Sequence, residues 1–469
     1  MLFNSVAFLF AFLPVTWLAF NAAKQRSKTA SQLVLLVASL LFYSWWNWIF
    51  TGLLVASIAA SYGIGLVLQA YRTRPVFALA VFATLTPLLY FKYVGWFAQM
   101  VGHPIEAITL PLGISFFTFL QLAYLTEIYR GTHNRRGLLP YAVFVTYFPH
   151  LIAGPILRHE EVTRQLDAID RRPIQLDANF ARGLQLVVVG LFKKVIVADL
   201  WCSGVADTAF ANAQSADFTL AWTGVLAYSA QLYFDFSGYC EMALGMSLLF
   251  GIVIPINFLS PYRAHNIADF WKRWHISLSQ WFRDHVYIPL GGNEKGPARA
   301  VFAVLVTFFL TGLWHGAGWT FVAWGMLHAG FVLVYRAWRA RGLHMPMALA
   351  KFVTLMAVVF AWVLFRAASF DDALHFWRSM LGLNGITLGH GFSQFQDTLP
   401  SWVAIANHKL VIGTEVILYA LVLWWCSVAK NVHEIQVKPT WRALTGMFIA
   451  ALASMAYINS GSTFLYFQF

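Results

Sequence analysis

One segment of the chain joins a basic, tryptophan-rich stretch to an apolar stretch of membrane length. It contains Asn266-Ile-Ala-Asp-Phe-Trp-Lys-Arg-Trp-His-Ile-Ser-Leu-Ser-Gln-Trp-Phe-Arg-Asp284, a Gly291-Gly-Asn293 turn, and an apolar run that ends in Trp314-His-Gly316. Apolar side chains recur at helical spacing in the first stretch, which predicts one amphipathic helix over 266–284. The second stretch predicts a helix that enters a membrane and carries His315 near its far end.

The composition of the whole chain places it in a membrane. Hydrophobic residues make up 59% of the sequence and charged residues 11%, whereas soluble domains have about 25% charged residues. Apolar runs follow one another without a long polar linker, so we expect a single integral domain over 1–469. The sequence therefore predicts an all-α polytopic membrane protein.

The net charge of +12 has a membrane explanation. The basic residues of the chain cluster in short loops between apolar runs, which is the positive-inside pattern of membrane proteins. We therefore expect the lipid bilayer as a partner of the chain, and we expect no nucleic acid as a partner. Cys202, Cys240 and Cys426 are scattered along the chain. Their spacing predicts neither a disulfide framework nor a metal site.

Twelve apolar runs are long enough, or nearly so, to cross a bilayer. They lie near 3–23, 31–49, 51–70, 76–95, 109–128, 183–202, 218–250, 300–316, 319–335, 351–366, 410–429 and 443–459. Loops with several basic residues alternate with loops that have few, such as the one assigned only Lys92 and Glu106. This alternation predicts an external amino terminus, cytoplasmic basic loops and an external carboxyl terminus, 464–469.

Two runs depart from a simple span. Residues 141–157 are short and contain Pro149 and Pro155, so we expect a re-entrant segment that is surrounded by protein or water. The run 218–250 is long, and a Ser-Gly pair in its middle predicts an interruption or kink at 234–239.

The strongest candidates for chemistry are two histidines. His275 lies on the apolar face of the predicted 266–284 helix, at the cytoplasmic side, and a buried structural histidine is the alternative. His315 lies deeper, about 22 Å along a helix from Arg299, where an ionisable side chain indicates function unless it only bonds two helices. The glycines at 312, 316 and 318 either let backbones approach or leave room for a ligand. A buried neutral imidazole can serve as a general base for acyl transfer.

Several motifs together resemble the membrane-bound O-acyltransferase family, most closely its bacterial cell-envelope branch, which acetylates alginate or transfers D-alanine to teichoic acid. They are Phe234-Asp-Phe-Ser-Gly-Tyr239, Asn257-Phe258, Pro261-Tyr-Arg263, Phe270-Trp-Lys-Arg-Trp-His-Ile-Ser-Leu-Ser279, Trp281-Phe-Arg-Asp284, Tyr287-Ile-Pro-Leu-Gly-Gly-Asn293 and Leu313-Trp-His-Gly316. Pro111-Leu-Gly-Ile-Ser-Phe-Phe-Thr-Phe119 and the tail Phe464-Leu-Tyr-Phe-Gln-Phe469 extend the likeness toward the alginate type.

The resemblance implies a bundle of about 11–13 membrane segments, some of them re-entrant, around a tunnel. His315 matches the catalytic histidine of the family, and His275 matches a second, more cytoplasmic position. We expect substrate contacts from residues of the same motifs, with Arg273, Trp281 and Arg283 holding the donor. The full set is Asp235, Ser237, Tyr239, Asn257, Tyr262, Trp271, Arg273, Trp274, Ser277, Trp281, Arg283 and Trp314.

The resemblance also implies the reaction. We expect the donor to be acetyl-CoA or a carrier-bound thioester, with no permanent cofactor, and the acceptor to be a polysaccharide such as alginate or cellulose. We expect no metal, because the histidines lack ligand spacing. We expect a periplasmic partner protein to pass the acetyl group on, and we expect the chain in the bacterial inner membrane. The alternation of basic loops predicts that both termini are periplasmic. The aromatic tail docks such a partner or anchors at the interface.

Three other interpretations are open, the first from the resemblance and the other two from the residues. D-alanyl transfer would use the same histidines on another acyl group. A proton-coupled transporter would use His275, His315 and Asp235 as a relay, although no matched pair of broken helices is visible. A scaffold without catalysis would only hold an external enzyme.

Overall fold

The computed structural model describes residues 2–132, 137–169, 177–386, 408–435, 440–458 and 464–465, and these residues form helices and loops without a strand. Helices of the first half are α1 (Leu13–Arg26), α2 (Lys28–Ser44), α3 (Trp48–Ala70), α4 (Arg74–Met100), α5 (Ile114–Arg130), α6 (Leu138–Thr146), α7 (Phe148–Leu151), α8 (His159–Asp167), α9 (Ala178–Phe192) and α10 (Gly204–Ala211). Those of the second half are α11 (Phe218–Leu249), α12 (Ile267–Trp271), α13 (Ile276–Phe282), α14 (Pro297–His315), α15 (Trp319–Ala340), α16 (Met347–Arg366), α17 (Phe370–Met380), α18 (His408–Val428) and α19 (Trp441–Ala456). Short π-helical segments are Phe8–Phe12, Lys193–Ser203 and Arg283–Tyr287, and 3₁₀ turns are Ala213–Ser215, Pro261–Arg263 and Val432–Glu434.

Six helical segments in the described part of the chain are long and apolar enough to cross a membrane. They are Trp48–Ala70, Arg74–Met100, Pro297–His315, Trp319–Ala340, Met347–Arg366 and Glu415–Glu434. The prediction of an all-α polytopic membrane protein is confirmed. The larger number of segments and the central tunnel stay predictions, as do the single domain and the sidedness of the loops.

Helix α11 is the centre of the bundle, and nearly all of its 32 residues are buried. It is apolar on every side, as expected of a helix surrounded by other helices. The predicted interruption at 234–239 is wrong, because the helix runs continuously through these residues. Gly238 serves close packing instead, since a Cβ atom there would lie 2.7 Å from the backbone oxygen of Gly190 in α9. Small residues let the backbones of two membrane helices come into contact. The Ser-Gly pair therefore marks the contact between α11 and α9 rather than a kink.

The predicted re-entrant segment forms two short helices, α6 and α7, that meet at Tyr147. Residues 141–157 are buried inside the protein. Polar backbone groups buried in this segment have hydrogen-bond partners. For example, the backbone oxygen of Phe144 lies 2.9 Å from Nε2 of the His150 ring. The burial agrees with a segment that protein surrounds.

Helices α14 and α15 form a tight hairpin that holds His315. A Cβ atom on Gly312 would lie 2.5 Å from the Phe321 oxygen, and one on Gly316 would lie 2.2 Å from the Phe321 ring. These two glycines therefore allow close approach of the helices. Gly312 and Gly316 thus have the first of the two expected roles, close helix packing, and do not leave room for a ligand.

The aromatic tail does not project from the protein where it is described. Phe464 and Leu465 are buried, and the Leu465 N–H donates to Oδ2 of Asp235 at 3.1 Å. Phe464 packs 4.8 Å from the Tyr239 ring. The core of the bundle offers these two residues both apolar surface and an acceptor, so they are not available to dock a partner; the external side of the tail stays a prediction. Residues 466–469 of the tail lie outside the described residues.

Candidate functional site

His315 is the last residue of α14, and only 3% of it is exposed. Its Nδ1 atom lies 2.7 Å from the backbone oxygen of Thr311. A carbonyl oxygen can only accept, so the proton of the neutral ring sits on Nδ1 and Nε2 is the basic nitrogen. The helix itself thus sets the tautomer that a general base requires.

Two side chains of α4 hold the end of α14. Lys92 Nζ donates to the Trp314 carbonyl, and the Tyr93 hydroxyl donates to the Leu313 carbonyl at 2.8 Å. The last carbonyls of a helix have no partner within it, so such donors satisfy the turn that carries His315. The prediction that Lys92 belongs to a loop is wrong, because α4 continues to Met100. A lysine in an apolar run was the signal that could have shown its role.

His275 lies at a break between two helices. Its φ of 43° is in the left-handed region, which a non-glycine residue occupies only when its surroundings hold it there. The prediction of one continuous helix over 266–284 is therefore wrong, although Asn266 caps α12 by accepting from the Asp269 N–H at 2.8 Å. Helical spacing in the sequence predicts His275 on the apolar face of one helix. Because the helix is interrupted by a turn at His275, that helical spacing does not apply there.

Asn257, from the loop after α11, fixes this break. Its carbonyl accepts from the Ile276 N–H at 3.0 Å. Its side-chain oxygen accepts from the Ser277 N–H at 3.0 Å and from the Ser277 hydroxyl at 2.9 Å. Three hydrogen bonds from one residue therefore anchor the start of α13 and hold His275 in its turn.

The indole of Trp314 brings the two histidines together. Its ring centroid lies 5.9 Å from that of His275 and 4.9 Å from that of His315. The ring of Phe236, from α11, lies 4.7 Å from His275 on another side. The expected separation of a shallow His275 from a deep His315 is thus wrong, because the broken helix folds His275 inward. Burial lowers the pKa of His275 well below the usual histidine range, and the neighbouring His315 lowers it further.

A third histidine, His328 in α15, belongs to the same aromatic cluster and was missed by the sequence analysis. It is fully buried, and its ring lies 4.9 Å from Trp324, which itself lies 4.9 Å from His315. Neither ring nitrogen of His328 has a hydrogen-bond partner in the described part of the protein. An ionisable residue within a predicted span was again the available signal.

A polar cavity of about 760 Å³ opens beside α13. Ser277, two residues after His275, lies at its wall with Gln280, Trp281 and Arg283. Four arginines and four carboxylates also line it, and they are Arg130, Arg158, Arg164, Arg283, Glu127, Glu160, Glu161 and Asp284. The cavity can therefore hold water and an anion next to the segment that carries His275.

Asp284 organises the charges of this cavity. It pairs with Arg158 at 2.9 Å and with Arg283 at 2.8 Å, and its hydrogen bond raises the pKa of the Arg283 guanidinium. His285 stacks on Trp281 with centroids 4.6 Å apart, and burial lowers the pKa of His285 below the usual range. Trp281 is itself anchored, since its Nε1–H donates to the Phe119 carbonyl at 3.1 Å.

The remaining predicted residues separate into two groups. Arg273 does not line the polar cavity; it pairs with Asp269 at 2.9 Å and donates to the Leu259 carbonyl at 3.3 Å. Asp235 pairs with Lys194 of the Lys193–Ser203 segment at 2.6 Å. These two charges hold elements of the fold together.

The other group is aromatic or small. The Tyr262 hydroxyl donates to the Ser229 carbonyl at 2.7 Å, and Tyr239 stacks on Phe3 with centroids 4.7 Å apart. Trp271 lies 5.1 Å from His328, and Trp274 lies 5.0 Å from Trp362. Ser237 is buried and lines a small cavity with Asn257. Only Trp271 of this group packs directly on one of the clustered histidines.

No group of three or more His, Cys, Asp or Glu side chains within the described ranges is arranged to hold a metal ion. The chemistry that the arrangement offers is proton transfer at His315, in an apolar cluster. The charged cavity is lined by Ser277, two residues after His275, and by neither His275 nor His315.

Comparison with known proteins gives the site a context. A family model described as MBOAT, membrane-bound O-acyltransferase family, matches residues 3–370. The chain is 36% identical to a peptidoglycan O-acetyltransferase of Helicobacter pylori (strain ATCC 700392 / 26695), over 100% of this chain and 98% of that protein. It is 39% identical to a probable alginate O-acetylase AlgI of Azotobacter vinelandii, over 83% of this chain and 79% of the relative. It is 30% identical to a teichoic acid D-alanyltransferase of Streptococcus thermophilus (strain ATCC BAA-250 / LMG 18311), over 56% of this chain and 64% of that protein.

Proposed function

The chain belongs to the membrane-bound O-acyltransferase family, and we propose that it transfers an acetyl group from a cytoplasmic thioester for the O-acetylation of an envelope polysaccharide. The observation that carries the mechanism is the hydrogen bond between His315 Nδ1 and the Thr311 carbonyl. It leaves Nε2 as the proton acceptor. Family membership favours acyl transfer over the transporter and scaffold interpretations.

In the proposed reaction Nε2 of His315 takes the proton from the acceptor hydroxyl as its oxygen attacks the thioester carbon. The C–O bond forms, the C–S bond breaks, and the departing thiolate receives the proton from the imidazolium. His275 supports the donor or the reacting centre, since Trp314 packs against both histidines. The aromatic cluster excludes water, which protects the thioester from hydrolysis.

The polar cavity beside α13 is the proposed donor entrance. Its arginines offer charge-assisted hydrogen bonds to phosphate groups, and its wall reaches Ser277, near His275. Trp281 and Arg283 line the cavity and are the proposed donor contacts. Arg273 does not line it, and its contact with the donor stays a prediction. Acetyl-CoA fits this charge pattern, and a carrier-bound thioester would present a similar phosphopantetheine arm.

The acceptor that we favour is an exopolysaccharide of the alginate type, because several relatives named as alginate O-acetylases align with most of the chain. Peptidoglycan is the second candidate, since a peptidoglycan O-acetyltransferase aligns with all of it. A periplasmic partner protein would deliver the acetyl group to the polymer from a chain in the bacterial inner membrane, with both of its termini periplasmic. D-alanyl transfer has weaker support, because that relative aligns with 56% of the chain.

The test is turnover of radiolabelled acetyl-CoA by the purified protein in liposomes, with release of free thiol as the measured product. We expect His315→Gln to lower kcat by about 10²–10⁴-fold with little change in KM. His328→Gln is the matched control, because it removes another buried imidazole from the same cluster, and it should lose less than tenfold. Equal losses in the two variants, or His315→Gln within tenfold of wild type, would contradict the assignment.

The acceptor is tested separately with alginate and peptidoglycan fragments in the same liposomes. Label found on only one polymer identifies the acceptor. If acetyl-CoA is inert but D-alanyl carrier protein is consumed, the acetyl donor is wrong while the role of His315 can still be tested.

A further inference from the structure

A second cavity, an apolar groove of about 470 Å³, lies on the other side of α13 from the polar cavity. The two cavities share only Gln280 and Arg283 among their lining residues. The groove is formed by α12 and α13 against α14 and α15, two of the helices that can cross a membrane. It therefore borders helices that can cross a membrane, which do not line the polar cavity.

The walls of the groove are suited to hydrocarbon. Trp271, Val304, Phe308 and Val332 supply apolar surface. The groove follows α14 from Val304 to Thr311, a rise of about 10 Å. A lipid chain lying there would end beside the carbonyl of Thr311, which holds His315.

The rim of the groove is cationic. Lys272, Arg283 and Arg336 line it, and none of its lining residues is Asp or Glu. The Arg336 guanidinium is held in place, since it donates to the Tyr287 hydroxyl at 3.0 Å and lies 5.6 Å from the centre of the Tyr287 ring. Lys272 is exposed, so its ammonium can reach a ligand. The polar cavity differs in having a carboxylate for each arginine, which makes the groove the better match for a single anion on an apolar body.

We propose that this groove binds one anionic phospholipid, with an acyl chain along α14 and the headgroup phosphate between Lys272 and Arg336. Basic side chains at the surface of a membrane attract anionic lipids, and the apolar wall adds affinity that a free phosphate lacks. The site is independent of the proposed acetyl transfer, because its binding can be measured without turnover.

The test compares phosphatidylglycerol with phosphatidylcholine of the same acyl chains, by native mass spectrometry of the detergent-solubilised protein. We expect phosphatidylglycerol to bind more tightly. The double variant Lys272→Gln, Arg336→Gln should weaken it by about 25-fold, from about fivefold for each charge. Arg341→Gln is the matched control: it removes a charge at the same end of α15 from a residue that does not line the groove, and it should change binding by less than twofold.

A second variant tests the apolar part without a change of charge. Thr307 lines the groove, and Thr307→Phe should fill it and weaken binding of phosphatidylglycerol by at least tenfold while the protein stays monodisperse. Three results would overturn the proposal: equal binding of the two lipids, an equal loss in Arg341→Gln, or displacement of the lipid by glycerol 3-phosphate alone. Displacement by acetyl-CoA would also overturn it and assign the groove to the donor.

Discussion

Replacing Lys92 by methionine tests whether α4 holds the end of α14 that carries His315 in position. The ammonium donates to the Trp314 carbonyl, immediately before His315, and lies 5.9 Å from the centre of the Trp314 ring. Methionine keeps most of the side-chain volume and removes the donor. The carbonyl would then lose its partner in a site that excludes water.

A hydrogen bond from a charged group contributes about 1.5–3 kcal/mol. If this free energy holds His315 in its reacting position, its loss lowers kcat by about 10- to 160-fold, since 1.36 kcal/mol corresponds to a factor of ten. The neutral bond from Tyr93 to the Leu313 carbonyl contributes about 0.5–1.5 kcal/mol. Tyr93→Phe should therefore lower kcat by less than Lys92→Met.

The assay is turnover of acetyl-CoA in liposomes, together with the midpoint of thermal unfolding for each variant. Lys92→Arg keeps a donor and should retain most of the activity. Thr84→Val is the matched control on the same helix, because the Thr84 hydroxyl bonds only the Ala80 carbonyl of α4, and it should leave kcat within threefold. A folded Lys92→Met protein with unchanged kcat, or an equal loss in Thr84→Val, would refute the positioning role.

Three further predictions concern stability. Gly190→Ala should lower the free energy of unfolding by about 1–3 kcal/mol, because its Cβ would lie 2.5 Å from the Gly238 oxygen. Gly330→Ala is the control and should not lower it, because a Cβ atom there meets nothing within 4 Å. An equal effect of the two variants on the denaturation midpoint would contradict the close packing. Asn257→Ala should cost about 1–3 kcal/mol, measured in the same way, because buried donors of Ser277 lose their acceptor, and an unchanged midpoint would show that the anchor is dispensable. The pKa of His285 is lower in the folded protein than in the unfolded chain, so the unfolded chain takes up the proton first as the pH falls below about 6.5. The contribution of His285 to stability is therefore full above that pH and is lost as the pH falls toward the folded-state pKa. Unfolding midpoints at pH 7.5 and 5.5 should show this loss in wild type and less of it in His285→Gln, and identical losses would exclude His285 as its source.

The membrane environment of the chain could be predicted from sequence, and so could a candidate for the reactive histidine. The composition and length of an apolar run determine its free energy of transfer into lipid. Each segment has this free energy independently of the rest of the chain. An ionisable residue such as His315 in such a run is costly, and this cost marked it as a candidate for function. The motifs around it gave the family, which the comparison confirmed.

The geometry around His275 could not be predicted in this way. Helical periodicity assumes that each residue continues the helix, but Asn257, far upstream, bonds the backbone at Ile276 and Ser277 and stabilises a left-handed turn between them and α12. The Ser-Gly pair in α11 was misleading for a similar reason. Its meaning depended on Gly190 in another helix.

The sequence by itself determined that the chain is a helical membrane protein with a buried histidine at the end of an apolar helix, because these properties follow from local composition and spacing. Only the tertiary structure decided that His275 and His315 meet at Trp314, that Lys92 holds the end of α14, and that Phe464 and Leu465 are buried. Each of these contacts joins residues that are distant along the chain. Their free energy comes from surfaces that exist only after the helices have packed.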